Sequence, residues 1–206
     1  MRIAIEANIG AGKSTIIAAL REAFPDVPMH VEPVDAWRDM LAAFYDNRNR
    51  WAFALQMMIL KEYVGPKYRG QKTFVSERCM YSCRYVFGQT LFSEGSMTEK
   101  EWKLFKEYCD AFDADVAPDV IVYVRTDPAT CLERIAARGR PAEEPMTLEY
   151  LQKLNFQYEN IVKYFPGVVR VVDGDRAANA VYKDVENIVR EYVGDVRSAD
   201  QAGSQM

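Results

Sequence analysis

No apolar run in this 206-residue sequence approaches the ~18 residues that a membrane-spanning helix needs. Histidine is nearly absent too, and Cys79, Cys83, Cys109 and Cys131 make no C-x-x-C pair. Although Cys79 and Cys83 share a helix face, no further ligand stands near them, so a zinc site is disfavoured and the thiols read as buried and free, as a reducing compartment keeps them. The single histidine, His30, reads as a structural residue of a short strand. Internal repeats and an interdomain linker are missing, so the length points to one domain over residues 1–194 with one sizeable core. Excess positive charge is lacking as well: 26 Lys and Arg against 30 Asp and Glu leave a net charge of −4, which argues against a protein that grips nucleic acid over a broad surface. The first strand starts at Arg2 and leaves no room for a signal or transit peptide, so the expected compartment is the cytoplasm.

What is present begins with IAIEANIGAGKST at residues 3–15. An apolar run, a glycine-containing loop, a Lys-Ser pair and then IIAAL at helical spacing read as strand, loop and helix, the setting of a phosphate-binding loop. Gly12, Lys13 and Ser14 fit G-x-x-x-x-G-K-[ST], whereas Ala7 stands at the first glycine. An alanine serves there only at negative φ, because a Cβ at positive φ is strained. The inward N–H groups of Asn8, Ile9, Gly10, Ala11, Gly12 and Thr15, the positive helix end and the Lys13 ammonium would cradle the polyphosphate of ATP, with the Ser14 hydroxyl on Mg²⁺.

Along the chain, the spacing predicts helices over 13–23, 34–45, 49–63, 79–92, 98–113, 128–138, 147–165 and 178–192. Strands are predicted at MHVEP ending on Glu32, at 73–77, at 119–124 and at 168–173, and 195–206 reads as a disordered tail. Thr98 with Glu101 is a capping-box signature. Strands alternating with helices give an α/β doubly wound parallel sheet, with ligands at the strand C-terminal ends. Charged groups fall at those ends: Glu32, Glu77 and Arg78. The strand 119–124 ends in Val124-Arg125 without a carboxylate, so Glu77 is the candidate to hold Mg²⁺, directly or through water. Arg134, Arg138 and Arg140 form a basic cluster that would neutralise charge on a transferring phosphoryl group.

NIGAGKST, VEPVDAW at 31–37, ALQ at 54–56, ERCMYSCRYVF at 77–87, and RTDP with ERIAARGRPAEE across 125–144 together resemble the deoxyribonucleoside kinase family, which includes thymidine, deoxycytidine and deoxyguanosine kinases. The resemblance runs from Ile3 to Asp173 and implies a P-loop kinase, a five-stranded parallel sheet flanked by helices with an arginine-rich lid at about 138–146. It implies transfer of the ATP γ-phosphoryl group, with Mg²⁺, to the 5′-hydroxyl of a deoxynucleoside, and a homodimer. Glu32 then matches the carboxylate that takes the hydroxyl proton, and Arg78 the arginine that positions it. Trp37 and Phe87 match the aromatic walls around the base, Gln56 the amide reading its edge, Tyr45 and Glu143 the pair on the 3′-hydroxyl, and Arg134, Arg138 and Arg140 the lid. ATP is expected on residues 8–15, with its adenine against the lid helix at Arg138 and the loop that begins at Asp173.

Departures from the family pattern fall in the base pocket. Tyr63 and Cys83, with Ile59 beside them, stand where deoxycytidine and deoxyguanosine kinases carry an Arg and an Asp; Cys79 replaces a Ser, and Leu55 a Phe. Without that charged pair a purine edge loses polar partners, which points to a thymidine-like or broad pyrimidine preference. Two rivals remain at this stage: a thymidylate-kinase-like enzyme that accepts a monophosphate, and a non-catalytic nucleotide-binding regulator, for which the N-K-x-D motif is missing.

Overall fold

The computed structural model describes residues 1–140 and 145–203. Its strands, β1 (Arg2–Ala7), β2 (Met29–His30), β3 (Phe74–Glu77), β4 (Val120–Arg125) and β5 (Val168–Asp173), form one parallel sheet in the order β2-β3-β1-β4-β5. The middle strands are apolar along nearly their whole length because helices cover both faces, and Ile3, Ile5, Ile121 and Val122 are fully buried. Ile5 pairs with Glu77 on one side and Val122 on the other, so the C-terminal ends of β3, β1 and β4 lie together. The chain order reverses at β1, where an open α/β sheet leaves a crevice for ligands.

The helices are α1 (Lys13–Ala23), α2 (Arg38–Asp46), α3 (Arg48–Tyr63), α4 (Met80–Ser82), α5 (Gln89–Ser93), α6 (Glu99–Val116), α7 (Pro128–Arg138), α8 (Leu148–Tyr164) and α9 (Ala178–Gly203). Their ends follow the capping residues. Thr98 accepts from the Glu101 N–H while the Glu101 carboxylate accepts from the Thr98 N–H at 2.8 Å, closing the predicted box at the start of α6. Asp127 caps α7 with Pro128 in its first turn, and Gly139 at φ 64° ends it. One core packs the sheet against α1, α8 and α9 through Ile17, Leu20, Leu154 and Val185. A second lies among α2, α3, α5 and α6 around Phe44, Leu60, Leu91 and Phe105. No helix among the described residues is long and apolar enough to cross a membrane.

The structure departs from the sequence reading in several elements. Strand β2 is only two residues long and stops before Glu32, because its partner β3 ends at Glu77 and the chain then turns at Arg78, φ 60°. The first helical turn after Pro33, Val34–Trp37, is 3₁₀ before α2 begins. A π-helical turn, Cys83–Gly88, joins α4 to α5 inside what reads as one α-helix. Gly88 sits at its end against the Phe105 and Trp102 rings, 2.7 and 3.1 Å from where a Cβ would lie, so no side chain fits there. Helix α9 runs to Gly203, and no proline interrupts it.

Candidate active site

The loop after β1 is shaped by two left-handed glycines, Gly10 at φ 86° and Gly12 at φ 91°. A Cβ on Gly10 would lie 2.5 Å from the Cys131 carbonyl oxygen on α7, so only glycine lets the loop pass this close. Ala7 meets the condition set for it: it lies within β1, and Arg78 is the only described non-glycine residue at positive φ. Asn8 accepts from the Ile9 N–H and donates through Nδ2 to the Leu151 carbonyl at 2.9 Å, tying the loop to α8. The Lys13 ammonium folds onto its own loop, donating to the Ala7 and Asn8 carbonyls at 3.2 and 3.3 Å. Burial first, and then the nearby Arg78 guanidinium, depress its pKa to about 8. A polyphosphate in the loop would reverse that shift. The Ser14 hydroxyl donates to Glu77 Oε1 at 2.9 Å, so the two groups expected on Mg²⁺ already touch. Magnesium keeps most of its ligands as water and phosphate oxygen, so a hydroxyl and a carboxylate fit it better than a dedicated cage would. Among the described residues no group of three or more His, Cys, Asp or Glu is placed to hold a metal ion, and all four cysteines are buried and free.

Beside this loop stands a buried ion pair. Arg78 Nη1 donates to Glu32 Oε2, and the Tyr63 hydroxyl donates to Glu32 Oε1 at 2.9 Å. The Arg78 guanidinium also lies over the Phe87 ring, 4.9 Å from its centroid, and its Nε reaches the Tyr158 hydroxyl at 3.4 Å. Tyr158 in turn donates to Glu6 Oε2 at 3.1 Å, and the Cys79 thiol donates to Glu6 Oε1 at 3.2 Å. Burial raises the Glu6 pKa; its polar neighbours, Ser82 first, then Arg78 and Cys79, offset part of that.

Glu32, Arg78, Lys13, Ser14 and Glu77 line one cavity of about 150 Å³ together with the residues expected around a base. Trp37 and Phe87 stand in its wall, and Gln56, Leu55 and Ile59 face it from α3. Tyr45, Tyr63 and Cys83 complete the predicted set among the described residues. The Gln56 amide oxygen accepts from the Cys83 thiol, Sγ to Oε1 3.4 Å. Four lining residues were not foreseen: Val34, Leu41, Phe44 and Tyr150. Trp37, Leu41 and Phe44 lie at helical spacing on one stripe, a pattern visible in the sequence. Tyr150, in the first turn of α8 beneath the Arg48 guanidinium 4.3 Å away, carried no such signal.

Arg138 and Arg140 line the same cavity from the end of α7. Arg134 instead donates to the Gly174 carbonyl at 3.3 Å, next to Asp173 at the end of β5, and neither lies on the cavity wall. Ala11 is buried in the loop and Thr15 is exposed on α1. Glu143, and with it much of the segment expected as a lid, lies outside the described residues.

A family model described as deoxynucleoside kinase matches residues 3–194. The chain belongs to the deoxynucleoside kinase family. Deoxycytidine kinase 2 of Gallus gallus is 31% identical, the match covering 77% of this chain and 72% of that protein. Thymidine kinase 2, mitochondrial, of Homo sapiens is 34% identical over 76% of this chain and 62% of its own length. Deoxycytidine kinase of Homo sapiens is 31% identical, covering 77% and 74%. Deoxynucleoside kinases are ATP-dependent phosphotransferases, and the expected parallel α/β sheet with its phosphate-binding loop is the one observed. With relatives of both names in one family, similarity alone leaves the base open, and the pocket residues must decide it.

Proposed function

We propose that this deoxynucleoside kinase transfers the γ-phosphoryl group of ATP to the 5′-hydroxyl of a pyrimidine deoxynucleoside, thymidine-like or broad in preference. The observation that carries the reading is the shared cavity: the glycine loop with Lys13, the Glu32–Arg78 pair and the Trp37–Gln56–Phe87 slot all open into one space. In this reading Glu32 accepts the proton of the 5′-hydroxyl as that oxygen bonds to the γ-phosphorus and the bond to the β–γ bridging oxygen breaks, leaving ADP. A carboxylate base in hydrogen-bond reach of a primary alcohol contributes about 10²–10⁴-fold. Arg78 holds the carboxylate and offers charge to the transferring group.

Lys13 and the loop N–H groups hold the β- and γ-phosphates, with Asn8, Ile9, Gly10, Ala11, Gly12 and Thr15 in the cradle. Ser14 and Glu77 would hold Mg²⁺, which neutralises phosphate charge when bound. Arg134, Arg138 and Arg140 supply further charge from the lid, the last two already on the cavity wall, and the adenine lies against the lid helix at Arg138 and the loop that begins at Asp173. Tyr45 and Glu143 take the 3′-hydroxyl.

Trp37 and Phe87 flank the base, where stacking on aromatic faces is worth about 1–3 kcal/mol per base but reads all bases alike. Discrimination therefore falls to Gln56, with Leu55, Ile59, Tyr63 and Cys83 closing the slot. The hydroxyl of Tyr63 is engaged by Glu32 and the thiol of Cys83 by Gln56, so neither offers a purine edge the charged partner it would need. What supports a homodimer is the family resemblance alone, and what supports a reducing setting is the set of free thiols. Sedimentation velocity tests the first.

The test is a panel of the four deoxynucleosides and thymidine monophosphate with γ-labelled ATP. Thymidine and deoxycytidine should lead in kcat/KM. Purines outrunning both would overturn the base preference, and transfer to the monophosphate alone would move the enzyme into the thymidylate-kinase-like class.

A further inference from the structure

Glu32 lies in an irregular stretch between the two-residue β2 and Pro33, and its own backbone gives it little support: its carbonyl accepts from the Val34 N–H at 2.9 Å. The direction of its carboxylate is therefore set by whatever bonds to the two oxygens. Arg78 takes Oε2 and Tyr63 takes Oε1. Arg78 is the partner the family pattern supplies; the tyrosine stands at one of the positions where this chain departs from that pattern.

Tyr63 is built to hold its hydroxyl still. It is the last residue of α3 and 2% exposed. Its ring meets Tyr68 edge-on at 5.7 Å, and Tyr68 is itself fixed edge-on to Phe74 at 5.5 Å and against His30 at 4.6 Å. Such aromatic pairs resist rotation because each ring's edge is seated on its neighbour's face. Burial, and then the negative charge of Glu32, push the phenol pKa well above its usual value, so the hydroxyl remains a donor throughout any working pH range. Gln56 lies seven residues earlier on the same helix, which puts both side chains on one face, and both line the cavity.

We propose that Tyr63 is a positioning residue for the reaction: its hydroxyl fixes the rotation of the Glu32 carboxylate, so that the lone pairs left over face the nucleoside. A proton acceptor that rotates freely meets the 5′-hydroxyl in the productive geometry only part of the time, and that loss appears in kcat rather than in binding. The role rests on the proposed nucleoside-kinase reading and adds to it a residue that acts through the carboxylate.

Tyr63→Phe removes one oxygen and keeps the ring packing. With the best deoxynucleoside of the panel, kcat should fall about 10-fold while the nucleoside Kd and the melting temperature stay close to those of the wild type. The decisive arm uses Glu32→Asp, whose carboxylate is drawn back by one methylene from the phenol. In that background Tyr63→Phe should change kcat by less than about 2-fold, because the two residues act as one unit. An unchanged kcat in the single variant, a loss seen in Kd alone, or a 10-fold loss that persists beside Glu32→Asp would overturn the proposal. Failure of the wild-type protein to label any deoxynucleoside would instead defeat the underlying reading.

Discussion

Arg78 adopts φ 60°, a conformation that costs a non-glycine residue of order 1–3 kcal/mol and is retained where the surroundings over-determine it. Here its N–H donates to the Ile5 carbonyl at 3.0 Å while its side chain is held by Glu32, Tyr158 and the Phe87 face. Arg78→Ala should lower kcat by about 10²–10³ and leave the ATP Kd within about 2-fold, read by single-turnover labelling and a nucleotide titration. Turnover near the wild-type rate would remove Arg78 from the chemistry. Glu6 gives a second residue-scale prediction. Its folded-state pKa is raised above the ordinary 4.5, so the folded protein holds this proton more tightly than the unfolded chain. The resulting stabilisation is present at low pH and is lost as pH rises above that value, with a slope of at most about 1.4 kcal/mol per pH unit. Urea unfolding of wild type and Glu6→Gln across that range should show the wild-type advantage shrinking with pH; a constant difference would contradict it. Neither the bond from Tyr63 to Glu32 nor the contact of Tyr158 with Glu6 could be read beforehand, because each joins residues far apart in sequence through a geometry that only packing sets. Glu77 and Arg78 were legible because strand ends can be read from where an apolar run stops, whereas Glu32 lies two residues beyond the end of β2.

Among the elements, the glycine loop is the most constrained. Gly10 and Gly12 share the left-handed conformation, but only Gly10 lies against another element, whereas a Cβ on Gly12 would meet nothing within 4 Å. Gly10→Ala should therefore destabilise the protein by about 1–3 kcal/mol and weaken ATP binding, with Gly12→Ala the milder of the two by urea unfolding. Equal effects would mean that backbone strain, and not contact with α7, governs the loop. At the far side, Thr98→Ala should lower stability by about 1 kcal/mol with kcat unchanged, since its capping box is remote from the cavity. Several helix boundaries were legible: α1 and α7 span the expected 13–23 and 128–138, and α6 starts after the Thr98 box. The π turn at Cys83–Gly88 was not, because its residues have ordinary helical spacing, and only the fold shows Gly88 at its end packed against Trp102 and Phe105. That turn carries Cys83 and Phe87, both on the cavity wall.

For the whole molecule, the sheet order is what turns scattered residues into a site. Because β3 and β4 flank β1, the glycine loop after β1 meets Glu77 and Arg78 after β3, and the short β2 brings Glu32 to the same edge. Alternating strands and helices announced this architecture, and the run with Gly12, Lys13 and Ser14 announced the strand, loop and helix that open it. The wall added by Leu41, Phe44 and Tyr150 depended on how α2 and α8 fold over the crevice, which no single stretch of sequence encodes. The central claim is that phosphate cradle and nucleoside slot form one reaction chamber, and a crystal structure with thymidine, ADP and Mg²⁺ tests it most directly. The account predicts the base between Trp37 and Phe87, the ADP phosphates on residues 8–15 and the 5′-oxygen about 3 Å from Glu32. Thymidine bound outside this cavity, or inside it with its 5′-oxygen turned away from Glu32, would contradict it.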